Sequence, residues 1–418
     1  MSWRHEWELT DEGIYQAKRA DALLRQQEKK LGVSRRGLLQ VLAGSGAAVL
    51  CGGVQTGHAQ GVQTIPAQDL VVKAAPAEHF FDYGSNKEMR WETMYSRGYL
   101  VPNELFFVRN HTRTPRIDAA SWRLTVSGSG VERTLELTYD DLLAMPSHSV
   151  VRYVECAGNG RSMFHIAYGK KAQGTQWKLG TIGVAEWTGV PLSAILDRAG
   201  LKRTAKDVMA EGLDDLKVRR PISVAKALAE DTLLVYAMNG DTLPPDHGFP
   251  IRLITPGWIG VSSIKWVGRI EVSEEALFSH WNTETYVLLG PDYQPSPPAN
   301  GPILSSQSLK SSLELALDAQ LRAGQRLIKG RSWSPVGKIA RVEYSLDQEK
   351  TWQPTQLQEP NIAGAWARWS FPWEAKPGKY TITVKATDTA GNTQPDSVSW
   401  NDQGYLYNAP IHHAVTVT

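Results

Sequence analysis

The sequence predicts two structural parts, an α+β region and then an all-β sandwich of immunoglobulin-like type. Three observations carry this reading. Up to about residue 290, short strand-like runs mix with short helical ones without regular strand–helix alternation, which argues against a doubly wound sheet. The run Gly290–Pro302 holds five prolines and marks the best boundary. Beyond it, short strands recur between turn signals such as Ser334-Pro335, Pro377-Gly378 and Ala390-Gly391-Asn392, the spacing of a sandwich. The expected division is a leader over residues 1–59, a linker with an N-terminal extension over 60–90, the α+β domain over 91–294 and the sandwich over 295–418.

The elements follow in order. Leu105-Phe106-Phe107-Val108 is an uninterrupted apolar run and reads as a buried strand ending in Arg109-Asn110-His111. Trp122 to Gly128 alternates like a strand. Tyr139 to Met145, preceded by Thr138, reads as a short capped helix. Val150 to Val154 is β-prone and runs into Cys156 and the turn signal Gly158-Asn159-Gly160. Glu186 to Leu192 leads into a helix that reaches Ala199 and is closed by Gly200. Val208 to Leu213 is a strand, Ser223 to Ala229 a helix and Leu233 to Met238 a strand, with a tight turn at Asn239-Gly240. The sandwich strands are Leu313 to Leu317, Gln325 to Lys329, Ile339 to Ser345, Trp366 to Phe371 and Tyr380 to Ala386.

Forty-five Lys and Arg face 43 Asp and Glu, so bulk charge points neither to nucleic acid nor to an anionic membrane. Any anion binding must come from local cations. Near the N-terminus, Ser34-Arg35-Arg36-Gly37-Leu38-Leu39-Gln40 precedes the uncharged run Val41 to Val54, and Gly57-His58-Ala59 offers a small-residue cleavage site. This reads as a twin-arginine export signal. The apolar run is short and glycine-rich for a membrane span, so the processed chain is expected in the periplasm, without an integral anchor.

There are two cysteines, and Cys51 lies in the leader. Cys156 sits where a strand ends and the backbone can approach a ligand. A buried cysteine is most often inert packing. Arg161, five residues on, favours thiolate over thiol. A metal-bound thiolate, a nucleophile and an inert core thiol stay open. Arg109, His111, Arg161, His247, Arg252 and Lys265 all fall at loop ends. Singly each is a surface charge; together with a lone thiolate they fit an anionic cofactor bound near a soft metal. A cysteine hydrolase would need a His–Asn or His–Asp pair that the sequence does not place. A non-enzymatic binding module would leave Cys156 unexplained.

From about Arg97 to the C-terminus the chain resembles the sulfite oxidase family of molybdenum enzymes. The carriers are Phe106 to His111, Glu155-Cys156-Ala157-Gly158-Asn159, Gly212-Leu213-Asp214, Met238-Asn239-Gly240, Pro245 to Arg252 and Ile264 to Arg269. The resemblance implies that Cys156 is the sulfur ligand to molybdenum. It implies that Phe107, Val108, Arg109, Asn110, His111, Asp214, His247, Arg252, Ser263, Ile264 and Lys265 hold the molybdopterin. Arg109, Arg161, Trp177, Tyr286 and Arg368 would form the sulfite site, in which guanidiniums hold a small oxyanion. The implied reaction is oxygen-atom transfer giving sulfate. Gly160 replaces an arginine that some members carry before Arg161, which implies a less positive anion site. No haem-attachment motif is present, so electrons are expected to leave to a separate carrier such as a c-type cytochrome, and the sandwich is expected to form a homodimer. Sulfoxide reduction or sulfane-sulfur oxidation with a partner subunit are the alternatives.

The export signal carries a first prediction. Replacing both Arg35 and Arg36 with Lys should trap an uncleaved precursor in the cytoplasm. Cell fractionation and immunoblotting check it, and a normally exported double variant would rule the signal out.

Overall fold

The computed structural model describes residues 70–418. The twin-arginine run, Cys51 and the cleavage site lie outside the described residues. Among the described residues, no helix is long and apolar enough to cross a membrane.

The first domain holds two five-stranded sheets, and strands dominate over its short helices. In one sheet the order is Asp241–Thr242, Leu233–Met238, Ile182–Pro191 and His148–Glu155, with Arg252–Ile254 also pairing Leu233–Met238. The other runs Leu135–Thr138, Arg123–Ser127, Val267–Ser273, Asp207–Gly212, Arg219–Ser223, and its Val267–Ser273 strand is parallel to Arg123–Ser127. Between them packs the helix Leu192–Ala199, whose Leu192, Ile195, Leu196 and Ala199 join Leu124, Val126, Val208 and Ile270 in one core. That helix is short because Gly200 takes a left-handed φ of 75° and turns the chain out. The helix Tyr139–Leu143 starts at a capping box between Thr138 and Asp141. At Asn239-Gly240 the φ values of 53° and 82° build the turn joining Leu233–Met238 to Asp241–Thr242.

The second domain is β-rich. A four-stranded sheet orders Lys310–Leu313, Gly324–Trp333, Trp366–Ala375 and Gln356–Gln358. A five-stranded sheet orders Asp318–Leu321, His412–Val417, Gly378–Asp388, Ile339–Ser345 and Gln353–Pro354. Ile328, Trp369, Phe371, Val342, Ile382 and Val384 fill the space between them. Tyr344 stacks on Phe371 at 3.6 Å across the same core.

Two expected strands are different. Leu105–Phe107 is a turn, because the amides of Leu105 and Phe106 both donate to the Pro102 carbonyl. Only Val108 pairs, in an isolated bridge with Lys87. An apolar run buried on every side carries no periodicity to tell strand from turn. Likewise the strand expected over Leu313 to Leu317 ends at Leu313. There the chain turns inward, and the Glu314 carboxylate accepts from Arg331 at 2.5 Å.

The domains are joined by buried polar contacts. Glu155 is fully buried, and its carboxylate accepts from Lys310 Nζ at 2.7 Å, Trp333 Nε1 at 3.0 Å and Asn159 Nδ2 at 3.0 Å. Lys310 and Trp333 belong to the sandwich. Tyr99 Oη donates to the Trp366 carbonyl at 2.6 Å, and Trp91 Nε1 donates to the Leu313 carbonyl at 2.7 Å.

A buried carboxylate stripped of its cation is costly. Lys310→Met should therefore lower unfolding stability by about 3–5 kcal/mol, read from denaturant midpoints. A loss below about 1 kcal/mol, the scale of an exposed pair, would mean that Glu155 is not held by this ion pair.

Candidate active site

The strand His148–Glu155 delivers Cys156 to the seam between the two domains. Its amide donates to the Thr181 carbonyl at 2.9 Å, and the Asn159 amide closes the turn on the Cys156 carbonyl at 2.9 Å. The Asn159 side chain locks the turn further: its Oδ1 accepts from Thr181 Oγ1 at 3.0 Å while its Nδ2 donates to Glu155. Gly260 is needed here, because a Cβ on it would lie 2.6 Å from the Glu155 carbonyl. That close approach lets the 257–265 loop face Cys156. The thiol is free of any disulfide and almost buried.

Cys156 forms one wall of a cleft that opens to solvent. Phe107, Arg109, Asn110 and His111 line it from the 106–111 segment, Asp214 from the end of Asp207–Gly212, and His247 and Arg252 from the 245–252 segment. Ser263, Ile264, Lys265 and Tyr286 complete it. Val108 is not on this surface. It is fully buried and acts through its backbone, exchanging hydrogen bonds of 2.9 Å with Lys87.

The cleft gathers cations that form no ion pairs, although Asp214 and Asp246 also line it. Among the described residues, no ion pair joins Arg109, Arg252 or Lys265 to a carboxylate. Burial pushes Arg252 down to about 9, and burial with the charge of Arg252 holds Lys265 well below its usual value. His247 is also held far down, first by burial and then by Lys73, Arg252 and Lys265. Arg252 Nε, His247 Nε2 and Asp214 Oδ2 are buried without a hydrogen-bond partner. Asp214 is shifted upward by burial. Such a set is unfavourable by itself and becomes favourable around an anionic, hydrogen-bonding ligand.

His111 and Tyr286 form a relay at one end. Arg109 Nη2 lies 3.1 Å from His111 Nδ1, and Tyr286 Oη lies 3.3 Å from His111 Nε2. Burial, then Arg109 and Lys265, push His111 down to about 2, so the ring is neutral. A guanidinium only donates, so Nδ1 accepts and the single ring proton sits on Nε2. That N–H donates to the Tyr286 oxygen and leaves the phenol hydrogen able to donate into the cleft.

The remaining expected residues are placed unequally. Arg161 starts the helix Arg161–Tyr168 and is nearly buried. Its Nε donates to the Gln403 carbonyl at 2.7 Å and its Nη1 to the Thr175 carbonyl at 2.8 Å. Its Nη2 lies against Gly158, where a Cβ would come within 2.6 Å. Arg161 and Arg109 both act on Tyr286, as does Cys156. Trp177 packs beneath, edge-on to Tyr83 at 5.2 Å, and Gly158 also makes room for it. Arg368 is not brought to the cleft. It lies on the strand Trp366–Ala375, donates to the Glu359 carbonyl at 3.1 Å and faces the Tyr99 ring at 5.6 Å. Of the three expected guanidiniums only Arg109 lines the cleft; Arg161 lies off it, 5.3 Å from the Tyr405 ring, and Trp177 is likewise off its surface. The Trp366–Ala375 strand pairs its Arg368 with Arg331 and so keeps it within the seam.

Three contributors escaped the sequence reading. Asp246 lines the cleft and its carboxylate is satisfied by the amides of Val72 and Lys73 and by Thr114 Oγ1. Trp266 has a left-handed φ of 54° and donates its Nε1 to the Pro245 carbonyl at 2.8 Å. Tyr405 stacks on Tyr286 at 5.2 Å and 11°. Asp246 and Trp266 lay inside quoted motifs; Tyr405 sits in a segment with no motif and no periodicity.

Among the described residues, no three His, Cys, Asp or Glu side chains cluster as a metal cage. A metal at Cys156 must bring most of its own ligands, as an organic cofactor does, and the uncompensated cations and unpartnered donors fit the anionic part of such a group. The donor set fits an anionic, metal-carrying cofactor, and the family models give the class as molybdopterin oxidoreductase. Residues 111–281 match the oxidoreductase molybdopterin binding domain, and residues 307–418 the Mo-co oxidoreductase dimerisation domain. Sulfite oxidase of Gallus gallus is 36% identical over 332 residues, covering 74% of this chain and 72% of that protein. Mitochondrial sulfite oxidase of Rattus norvegicus is 36% identical over 338 residues, 76% of this chain. The chain spans 61% of the length of that mitochondrial relative. The crystal structure of the sulfane dehydrogenase SoxCD from Paracoccus pantotrophus is similar with a TM-score of 0.70 and 26% identity, covering 87% of this chain and 92% of that one. The chain belongs to the sulfite oxidase family.

If Cys156 is the metal ligand, Cys156→Ser should abolish turnover while costing no more than about 3 kcal/mol in stability, the range of an ordinary core substitution. Turnover per molybdenum and a melting curve on the same preparation check it; undiminished turnover would return Cys156 to the status of a packing residue.

Proposed function

We propose that this protein oxidises sulfite to sulfate with a molybdenum cofactor. The observation that supports the reading is that Arg109 lines the cleft with Cys156 and Tyr286, while the Arg161 guanidinium lies 5.3 Å from the Tyr405 ring that stacks on Tyr286, and among the described residues no carboxylate forms an ion pair with either arginine. Two guanidiniums near each other repel, and a small dianionic oxyanion relieves that repulsion where a neutral sulfoxide does not.

The molybdenum cofactor, when bound, supplies the oxygen-atom transfer and takes up the two electrons released. Cys156 would ligate the metal. Arg252, His247 and Lys265 would hold the anionic end, and Asp214, with an unpartnered oxygen, would meet donors of the pterin edge. The protein's part is orientation and charge. Arg109 and Arg161 are pre-set by His111 and by two backbone carbonyls, so little side-chain freedom is lost when an oxyanion binds. The Tyr286 hydroxyl donates to the oxyanion, its direction imposed by the His111 N–H. Sulfite and water become sulfate with release of two protons and two electrons. The electrons pass singly to an external one-electron carrier such as a c-type cytochrome, and the enzyme is an exported homodimer held through residues 307–418. This is supported by the match to a dimerisation domain there.

The likeness to the sulfane dehydrogenase supports a second reading, oxidation of sulfane sulfur. Activity with sulfite against activity with a persulfide, on one molybdenum-loaded preparation, separates the two.

Arg161→Met should raise the sulfite KM about ten- to a hundredfold, since a charge-assisted contact contributes about 1.5–3 kcal/mol. Molybdenum content should stay near wild type, and sulfate should inhibit the variant less. Steady-state kinetics with metal quantified on the same samples check it. An unchanged KM with unchanged sulfate inhibition would remove Arg161 from the substrate site and favour a neutral substrate.

A further inference from the structure

Arg220 is a further buried cation, outside the cleft lining but bonded to the segments that carry it, and neither the sequence motifs nor the roles above account for it. It lies in the strand Arg219–Ser223 and is 1% exposed. Its Nη1 donates to the Trp281 carbonyl and its Nη2 to the Leu304 carbonyl. Its Nε is buried without a partner, and among the described residues no carboxylate pairs with it. Burying an arginine against carbonyls alone is expensive. A purely structural peg at this point could be neutral.

The two carbonyls it grips bracket the candidate substrate site. Leu304 donates its amide to the Tyr286 carbonyl at 3.0 Å, and Val287 bridges Ile303. Trp281 packs on His111 at 4.2 Å, and His111 in turn orients Arg109 and Tyr286. Tyr286 itself holds a left-handed φ of 55°, a conformation that needs support from both sides. Tyr286, Leu304 and Tyr405 form one packed cluster, with Trp281 against it. The charge of Arg220 acts on both phenols.

We propose that Arg220 is a positioning residue of the oxyanion site: its fork fixes the backbone on both sides of Tyr286, and its uncompensated charge stands behind the Tyr286–Tyr405 pair to favour an anion in front of it. The proposal rests on the sulfite reading. It deepens that reading by naming a cation that never touches substrate yet sets affinity and alignment. The two roles separate by chemistry. A lysine keeps the charge and loses the planar fork, whereas a glutamine keeps one donor nitrogen and loses the charge.

The test uses the full-length molybdenum-loaded enzyme with Arg220→Gln and Arg220→Lys. Molybdenum per chain, sulfite KM and kcat, and the rise in Tm caused by added sulfate are measured together. Sulfate that binds the folded protein raises its Tm by an amount that grows with the logarithm of its affinity, a readout independent of turnover. Arg220→Gln should raise KM about tenfold and shrink the sulfate-induced rise in Tm. Arg220→Lys should hold KM within about threefold and lower kcat about tenfold, because Tyr286 is no longer clamped. Variants that melt lower but keep wild-type KM, kcat and sulfate response would reduce Arg220 to a structural peg and overturn the proposal. Should Arg220→Gln fail to fold, the Lys variant decides alone: a wild-type kcat overturns it. A wild-type enzyme with neither sulfite turnover nor a sulfate response sinks the sulfite reading and this proposal with it.

Discussion

The structure hangs on one buried carboxylate. Glu155 immediately precedes Cys156 and is fully enclosed, with Lys310 and Trp333 of the sandwich and Asn159 of the cysteine turn as its donors. Gln307 of the sandwich donates to its backbone carbonyl at 2.6 Å. One residue therefore ties the strand end, the turn and the second domain together. Its backbone cannot shift without breaking several buried contacts at once, so the thiol beside it is held where it is. This explains why the sandwich matters to a cleft that its strands do not line. It supplies the donors that make the buried charge at Glu155 tolerable.

The cleft follows the opposite rule. Around Glu155 every charge has a partner, whereas Arg109, Arg252, Lys265 and Arg220 form no ion pair with a carboxylate among the described residues. Their upkeep is met elsewhere: backbone carbonyls accept from Arg220 and Arg161, and Asn110 Oδ1 and the Asp246 carbonyl accept from Lys265. Those carbonyls orient the cations without neutralising them. Asp246, the nearby carboxylate, is occupied by the amides of Val72 and Lys73 and by Thr114. Of the two lining carboxylates the fold thus keeps Asp246 occupied and leaves one oxygen of Asp214 open, while the cations form no ion pairs, an arrangement that suits an anionic ligand with hydrogen-bond donors of its own.

The sequence alone determined the elements whose signals are local. The cap at Thr138, the glycine stop at Gly200 and the Asn239-Gly240 turn act over a few residues, and each stands where chain chemistry puts it. It also determined which segments approach the cleft, because Arg109 to His111, Cys156, His247, Arg252 and Lys265 lie in motifs with fixed spacing. Tertiary structure decided what depends on distant parts of the chain. Leu105 to Phe107 is a turn because Pro102 and the surrounding core make it one, and its apolar composition held no period to say so. Arg368 stays in the seam because strand register places it beside Arg331, and register is set by pairing over the whole sandwich. Arg220 and Tyr405 meet Tyr286 from positions 66 before and 119 after it, across separate elements. No local pattern encodes an encounter of that kind; only the packed core brings those charges and rings together.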